Sequence, residues 1–338
     1  MKLKRVGIDL AKNVFQVHGV DHHEQVKVRK QLKRRDMLDF LRQVEPCVVA
    51  MEACGSAHYW GRELRKLGHE VRLIAPQFVK PYVKSGKNDA NDAMAICEAA
   101  SRPTMRYVTL KTPEQQAGQA LHRVRSRLIK ARTALVNEIR GLLSEFGIIG
   151  IVKGVSACRR LVADVLENAD NGLPDTMREV LAQLSIELTA HDAHIAKLDA
   201  DIKRQCAQDS RIKRLLPIDG IGPISASAIV AAVGDARQFK SARDLSAWLG
   251  LVPNQNSSGG KERLGSISKR GDAYLRTLLI HGARAVVNAC TNKTDRKSEW
   301  IKSLVARRNK NIATVALANK NARIIWAVLT RDKPYQAA

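Results

Sequence analysis

The sequence predicts an α/β N-terminal domain, a helical coiled-coil middle and a mostly α-helical C-terminal domain. Three observations carry this. Short apolar runs alternate with helical patterns over the first hundred residues. Apolar residues then recur at three- and four-residue spacing over two long stretches. A Gly-Ile-Gly turn and several shorter helical patterns follow.

In the first region, residues 4–10, 13–20 and 25–29 read as three consecutive strands. Asn13–Val20 alternates with a period of two, and Asp21-His22-His23-Glu24 is a polar, solvated turn. A helix begins near Arg35. Val48-Val49-Ala50-Met51 is apolar enough to be a buried strand. Gly55–Leu67 is helical and Gly68-His69 closes it. Val71–Ala75 is the next strand, stopped by Pro76, and Lys80–Lys87 is a basic loop. This order predicts a mixed sheet flanked by helices.

Residues 113–146 predict a long helix, with Leu121, Val124, Leu128, Ala131, Leu135, Ile139 and Leu142 as its apolar stripe. Arg123, Arg125, Arg127, Lys130 and Arg132 crowd its other sides. A second stretch, 175–207, repeats the pattern with Val180, Leu181, Leu184, Leu188, Ile195, Leu198 and Ile202. Together they predict an antiparallel coiled coil. Leu216–Val230 resembles a helix-hairpin-helix, in which Gly220 and Gly222 allow a phosphate to approach backbone amides. Asn256–Gly260 reads as a linker or a site loop, beside Lys261, Arg263, Lys269 and Arg270. Helices are expected over 273–289 and 312–329, with a basic segment between them. The predicted divisions are residues 1–110, 111–209 and 210–338.

Charge bounds the function. The 338 residues carry a formal net charge of +24, which favours a polyanionic partner. No apolar run of membrane-spanning length and no signal peptide is read, and the six scattered cysteines fit a cytosolic protein with reduced thiols. Aromatic content of 4% argues against a stacking platform for single strands.

The chemistry-bearing residues are carboxylates. Asp9 ends the first strand and Glu52 the fourth. Asp89 and Asp92 are three apart at the start of a helix former, so they share a face. Two such carboxylates repel each other unless a cation lies between them. Four acids, two at strand ends and two on a helix face, suit one or two divalent metals and phosphodiester chemistry.

Five segments recur together in one family. They are Gly7-Ile8-Asp9-Leu10-Ala11-Lys12, Met51-Glu52-Ala53-Cys54-Gly55, Lys87-Asn88-Asp89-Ala90-Asn91-Asp92-Ala93, Ile218-Asp219-Gly220-Ile221-Gly222, and Gly250-Leu251-Val252-Pro253 followed by Asn256-Ser257-Ser258-Gly259-Gly260. In that order they resemble bacterial insertion-sequence transposases of the DEDD class, the IS110 family and its IS1111 branch, with Piv-type DNA invertases as relatives. The resemblance implies a RuvC-like domain of RNase H fold whose acids Asp9, Glu52, Asp89 and Asp92 bind Mg²⁺. It also implies a catalytic serine at Ser258, with Ser257 adjacent, which would form a phosphoserine link to DNA. The implied partners are element-end and target DNA, a bridge RNA from the element, and further copies of the chain. The expectation is thus a bridge-RNA-guided serine recombinase. The alternatives are a metal-dependent, RuvC-like nuclease that uses water, and a non-catalytic nucleic-acid binder.

Overall fold

The computed structural model describes residues 1–84, 88–150, 154–333 and 335–336. Ser85, Gly86 and Lys87, the end of the basic loop, lie outside the described residues. The chain forms two compact units, Met1–Pro113 and Glu114–Ala338.

The first unit is built on a six-stranded mixed sheet. Its strands are β1 (Arg5–Leu10), β2 (Val14–Val20), β3 (Val26–Lys33), β4 (Val48–Glu52), β5 (Glu70–Ile74) and β6 (Tyr107–Val108), in the spatial order β3-β2-β1-β4-β5-β6. β2 runs antiparallel to both its neighbours, β1 and β3, whereas β1, β4 and β5 run parallel. The parallel strands need crossovers, which α1 (Met37–Arg42) and α2 (Ala57–Lys66) supply. The two-residue β6 and the single-turn α3 (Pro76–Val79) have no counterpart in the sequence reading. Both are too short to show a period.

Because strand side chains alternate, the sheet has two distinct faces. Ile8, Phe15, Val17, Met51 and Leu73 pack with Met37, Leu41, Trp60 and Leu64 on one side. On the other, Ala50 and Ile74 pack with Ala95, Ile96 and Ala99 of α4 (Asp89–Ala99). Gly7 is paired with Ala50 and so belongs to the second face. A Cβ on Gly7 would stand 2.3 Å from the Ala93 carbonyl oxygen and 2.5 Å from the Cys97 amide nitrogen. The backbone of α4 therefore lies directly on β1, where only glycine leaves room.

The second unit is helical. α5 (Pro113–Glu145) and α7 (Asp175–Gln208) run antiparallel, as their ion pairs show: Arg125 meets Asp199, and seven residues on Arg132 meets Asp192, seven residues back. Leu181, Leu188, Ile195 and Ile202 of α7 are buried at seven-residue intervals. Val124 and Val180, assigned to the apolar stripes from sequence, are exposed, and Leu143 is buried where Leu142 was expected. α6 (Val155–Glu167) was not anticipated; Cys158, Val162 and Val165 close a core with Leu135, Ile139 and Leu181.

Beyond α7 come α8 (Ser210–Leu215), α9 (Pro223–Val233), α10 (Ala242–Trp248), α11 (Ala273–Ala289), α12 (Arg296–Arg307) and α13 (Lys310–Arg331), which share one core. α12 occupies most of the basic segment between the two helices expected from sequence. Gly220 has φ +84°, and its backbone is pressed against Gly282 of α11, whose own Cβ would fall 1.8 Å from the Gly220 oxygen. The glycine at 220 thus permits a close approach of the turn before α9 to α11 of this chain. Gly222 is exposed at the start of α9.

A buried polar chain crosses this core. Ser227 Oγ donates to the Pro223 carbonyl at 2.8 Å, so it accepts from His122 Nε2 at 3.0 Å. Nδ1 of the neutral ring then accepts from the Tyr274 hydroxyl at 3.2 Å. Arg125 also bonds to Tyr274, so that hydroxyl is fully engaged. Burial, with Arg125 beside it, pushes His122 down to about 4. Among the described residues no helix is long and apolar enough to cross a membrane.

Two outcomes follow from these contacts. Gly7→Ala should cost about 1–3 kcal/mol or more in a urea titration, because backbone must move to admit the methyl group. His122 titrates lower in the fold than unfolded, so its contribution is complete above pH 6.5 and is lost as pH falls toward 4. At about 1.4 kcal/mol per pKa unit this is on the order of 3 kcal/mol, and His122→Gln should flatten the pH dependence of unfolding over that interval.

Candidate metal centre

Asp9 follows Gly7 by two residues on β1, so it faces the same side of the sheet and lies under the start of α4. Asn88 caps that helix; its side-chain oxygen accepts the Ala90 amide at 2.9 Å. Asp89 and Asp92 occupy the first turn. The result is that carboxylate oxygens of Asp9, Asp89 and Asp92 all lie within 4.8 Å of one another. Glu52 ends the neighbouring strand two residues after Ala50, on the same face. It stands outside that group of three but close enough to feel its charge.

The electrostatics are those of an incomplete anionic site. Burial, then Asp92 and Asp89, raise Asp9 above its ordinary carboxylate value. Burial, then Asp9 and Asp92, raise Glu52. The Cys54 thiol nearby is raised by burial and by the same acids, so it is held protonated. Among the described residues no Lys or Arg forms an ion pair with any of the four carboxylates. The helix N-terminus offers only a partial positive charge. Three hard oxygen donors, two half-buried and one exposed, with no ion-pair partner among the described residues, fit a divalent ion of the magnesium or manganese type.

The other expected site residues lie in the second unit. β7 (Pro253–Gln255) and β8 (Leu264–Ile267) form an antiparallel hairpin, and Ser258 pairs with Lys261 at its turn. Gly259 and Gly260 both have positive φ, as a two-residue hairpin turn of this kind requires. Ser257 Oγ accepts the Arg263 amide at 3.1 Å, while Ser258 is exposed. Lys261 and Arg263 are exposed on the hairpin, and Lys269 and Arg270 at its foot. The foot is closed by two glycines, Gly250, which opens the last of the family segments, and Gly271, which the sequence reading did not single out. Cβ atoms on Gly250 and Gly271 would meet the oxygens of Arg270 and Trp248 at 2.1 and 1.9 Å.

A transposase model of the DEDD, IS110 type matches residues 6–148, the span that contains all four acids. A second, described as "Transposase IS116/IS110/IS902 family", matches residues 212–299. A probable family 20 transposase of Pseudomonas aeruginosa is 62% identical over 336 residues, 99% of each chain. The chain belongs to the IS110/IS116 family of transposases. The transposase of insertion sequence element IS1111A from Coxiella burnetii is 48% identical, covering 99% of this chain and 92% of its own. That of IS1328 from Yersinia enterocolitica is 43% identical over 96% of each. This transposase is therefore an enzyme that acts on DNA by phosphoryl transfer.

The same findings correct the expectation of a bridge-RNA-guided serine recombinase. The family descriptions name a DEDD transposase, which puts the chemistry on carboxylates, and support neither a guide RNA nor a serine nucleophile. The local structure agrees. A serine hydroxyl needs a base or metal to attack a phosphate, and Ser258 is a solvent-facing residue of a turn. Among the described residues of its unit no cluster of acids, histidines or cysteines is placed to hold a metal.

The crowded acids have a measurable cost. Asp9 and Glu52 are raised in the fold, so the metal-free protein loses stability as pH rises through their folded values, above 3.8 and 4.5. Asp9→Asn should therefore raise the unfolding midpoint in EDTA at neutral pH. A divalent ion at about one hundred times its Kd should stabilise the wild type by about 2.7 kcal/mol, and Asp9→Asn should lose most of that gain.

Proposed function

We propose that this transposase cuts DNA phosphodiester bonds at Asp9, Glu52, Asp89 and Asp92 with Mg²⁺, on a RuvC-like domain of RNase H type, and that water supplies the attacking oxygen. The observation that carries the reading is the approach of Asp9, Asp89 and Asp92 to within 4.8 Å, with no ion pair to any of them among the described residues. The strand order β3-β2-β1-β4-β5, antiparallel and then parallel, supports the RNase H-type assignment.

Asp9, Asp89 and Asp92 would hold the ion, and Glu52 would complete the set from the adjacent strand. A bound Mg²⁺ polarises the scissile phosphate and stabilises the leaving oxygen. The protein contributes position. Asp9 is fixed on a sheet strand, and Asp89 and Asp92 on a helix whose backbone rests on that strand, so the donors need little reorganisation when substrate arrives. Element-end and target DNA are the substrates. Transposition joins separate DNA segments, and exposed Val180 and Ile186 on α7 support a homo-oligomer that holds them together.

The test is strand cleavage of an element-end duplex by the full chain. Asp9→Asn or Asp92→Asn should reduce the rate by at least about 10³-fold, an effect of several kcal/mol in the barrier, and EDTA should abolish it. Cleavage should leave no denaturation-resistant protein–DNA adduct. An adduct that disappears with Ser258→Ala would overturn the assignment of water.

A further inference from the structure

The basic residues of α5 divide into two sets that do different things. Arg125 and Arg132 turn toward α7 and are neutralised by Asp199 and Asp192. Arg123, Arg127 and Lys130 are spaced by four and three residues, so they share another face of the same helix. All three are exposed, and none forms an ion pair or side-chain hydrogen bond among the described residues. Along one helix such like charges repel, and the sequence provides no acid to relieve them on that face.

This second face is not a convex, solvated surface. Arg123, Arg127 and Lys130 line a cleft of about 360 Å³ whose far wall is Ala228 and Ala232 of α9 and Tyr274 of α11. The cleft has a built floor. His122 is 3% exposed and tied to Ser227 and Tyr274, so α5, α9 and α11 are held at a fixed separation beneath the charges. Asp272, the one acid on the wall, uses its Oδ1 to cap α11, where it accepts the Tyr274 and Leu275 amides at 2.8 and 3.1 Å. Lys269 and Arg270 precede it with only Gly271 between, so the basic lining leads toward the foot of the exposed hairpin that bears Lys261 and Arg263.

We infer that the cleft between α5, α9 and α11 is a docking site for the sugar-phosphate backbone of duplex DNA, gripped by Arg123, Arg127 and Lys130. The inference rests on the reading that this transposase acts on DNA, but not on how it cuts. Unpaired cations with no base-reading arrangement recognise phosphates regardless of sequence. The buried His122–Tyr274 pair acts here as a rigid support. Tyr274 itself offers no free hydroxyl, since its proton goes to His122 and its oxygen takes Arg125.

The test is equilibrium binding of a random-sequence DNA duplex to the full chain carrying Asp9→Asn, in EDTA, across a salt series. Cleavage is then absent, so a failure of the proposed chemistry cannot be mistaken for a failure of docking. The variant Arg123→Gln/Arg127→Gln/Lys130→Gln should bind at least about tenfold more weakly near physiological salt. Its plot of log affinity against log salt should be shallower by about 2.7, at about 0.9 for each phosphate that is no longer neutralised. Arg123→Lys/Arg127→Lys should keep the wild-type slope. A charge-matched control, Lys197→Gln/Lys203→Gln/Lys213→Gln on exposed positions of α7 and α8, should change it far less. An unchanged slope in the first variant, or one no different from the control, would overturn the proposal. So would a loss confined to an RNA duplex with DNA binding intact.

Discussion

Gly7 has no side chain, and the backbone of α4 occupies the space where one would stand. The Ala93 carbonyl and the Cys97 amide lie closer to the missing Cβ position than any real methyl group could tolerate. This close approach sets the height of α4 above β1. Because Asp9 is two residues beyond Gly7 and Asp89 and Asp92 open α4, it also brings three carboxylates together. A larger residue at position 7 would lift the helix and open the cluster. The acids in turn oppose the packing, since burial and mutual repulsion raise Asp9 and Glu52. Apolar packing of Ala50, Ile74, Ala95, Ile96 and Ala99 holds the helix down against that repulsion.

The second unit uses the same device for another purpose. Gly220 against Gly282, and Gly250 and Gly271 against carbonyl oxygens, let backbones meet where side chains would keep them apart. The first pair seats the turn before α9 on α11; the other two glycines fix the foot of an exposed hairpin. Arginines then divide between structure and surface. Arg125 and Arg132 are paired with acids on α7, while Arg123, Arg127 and Lys130 form no ion pair among the described residues. A net charge of +24 favours an anionic partner but does not place it; ion pairing within the fold is what separates the two sets.

Much of this was legible in the chain. Asp9 and Glu52 could be placed at strand ends because apolar runs precede them, and Asp89 and Asp92 at a helix start because helix formers follow. The long periodic stretches located α5 and α7 nearly to the residue. The convergence of the acids could not be read from local pattern, because it depends on Gly7, whose meaning appears only when the element packed on it is known. Gly220 illustrates the same point: the turn around it requires a glycine against Gly282, sixty-two residues away, a contact that no local pattern shows. Ser258 was given chemistry by the family resemblance, whereas the two positive-φ glycines beside it make a hairpin turn. α6 escaped notice because its apolar positions are interleaved with charge and lie between two stronger signals.

The seating of α4 on Gly7 is proposed to make a divalent-cation site of Asp9, Asp89 and Asp92. Anomalous diffraction from a crystal of the full chain grown with Mn²⁺ tests it most directly. The account predicts a peak among the three carboxylates, at about 2.0–2.6 Å from their oxygens as hard divalent ions require. A well-ordered crystal with Mn²⁺ bound elsewhere and none at these acids would contradict it.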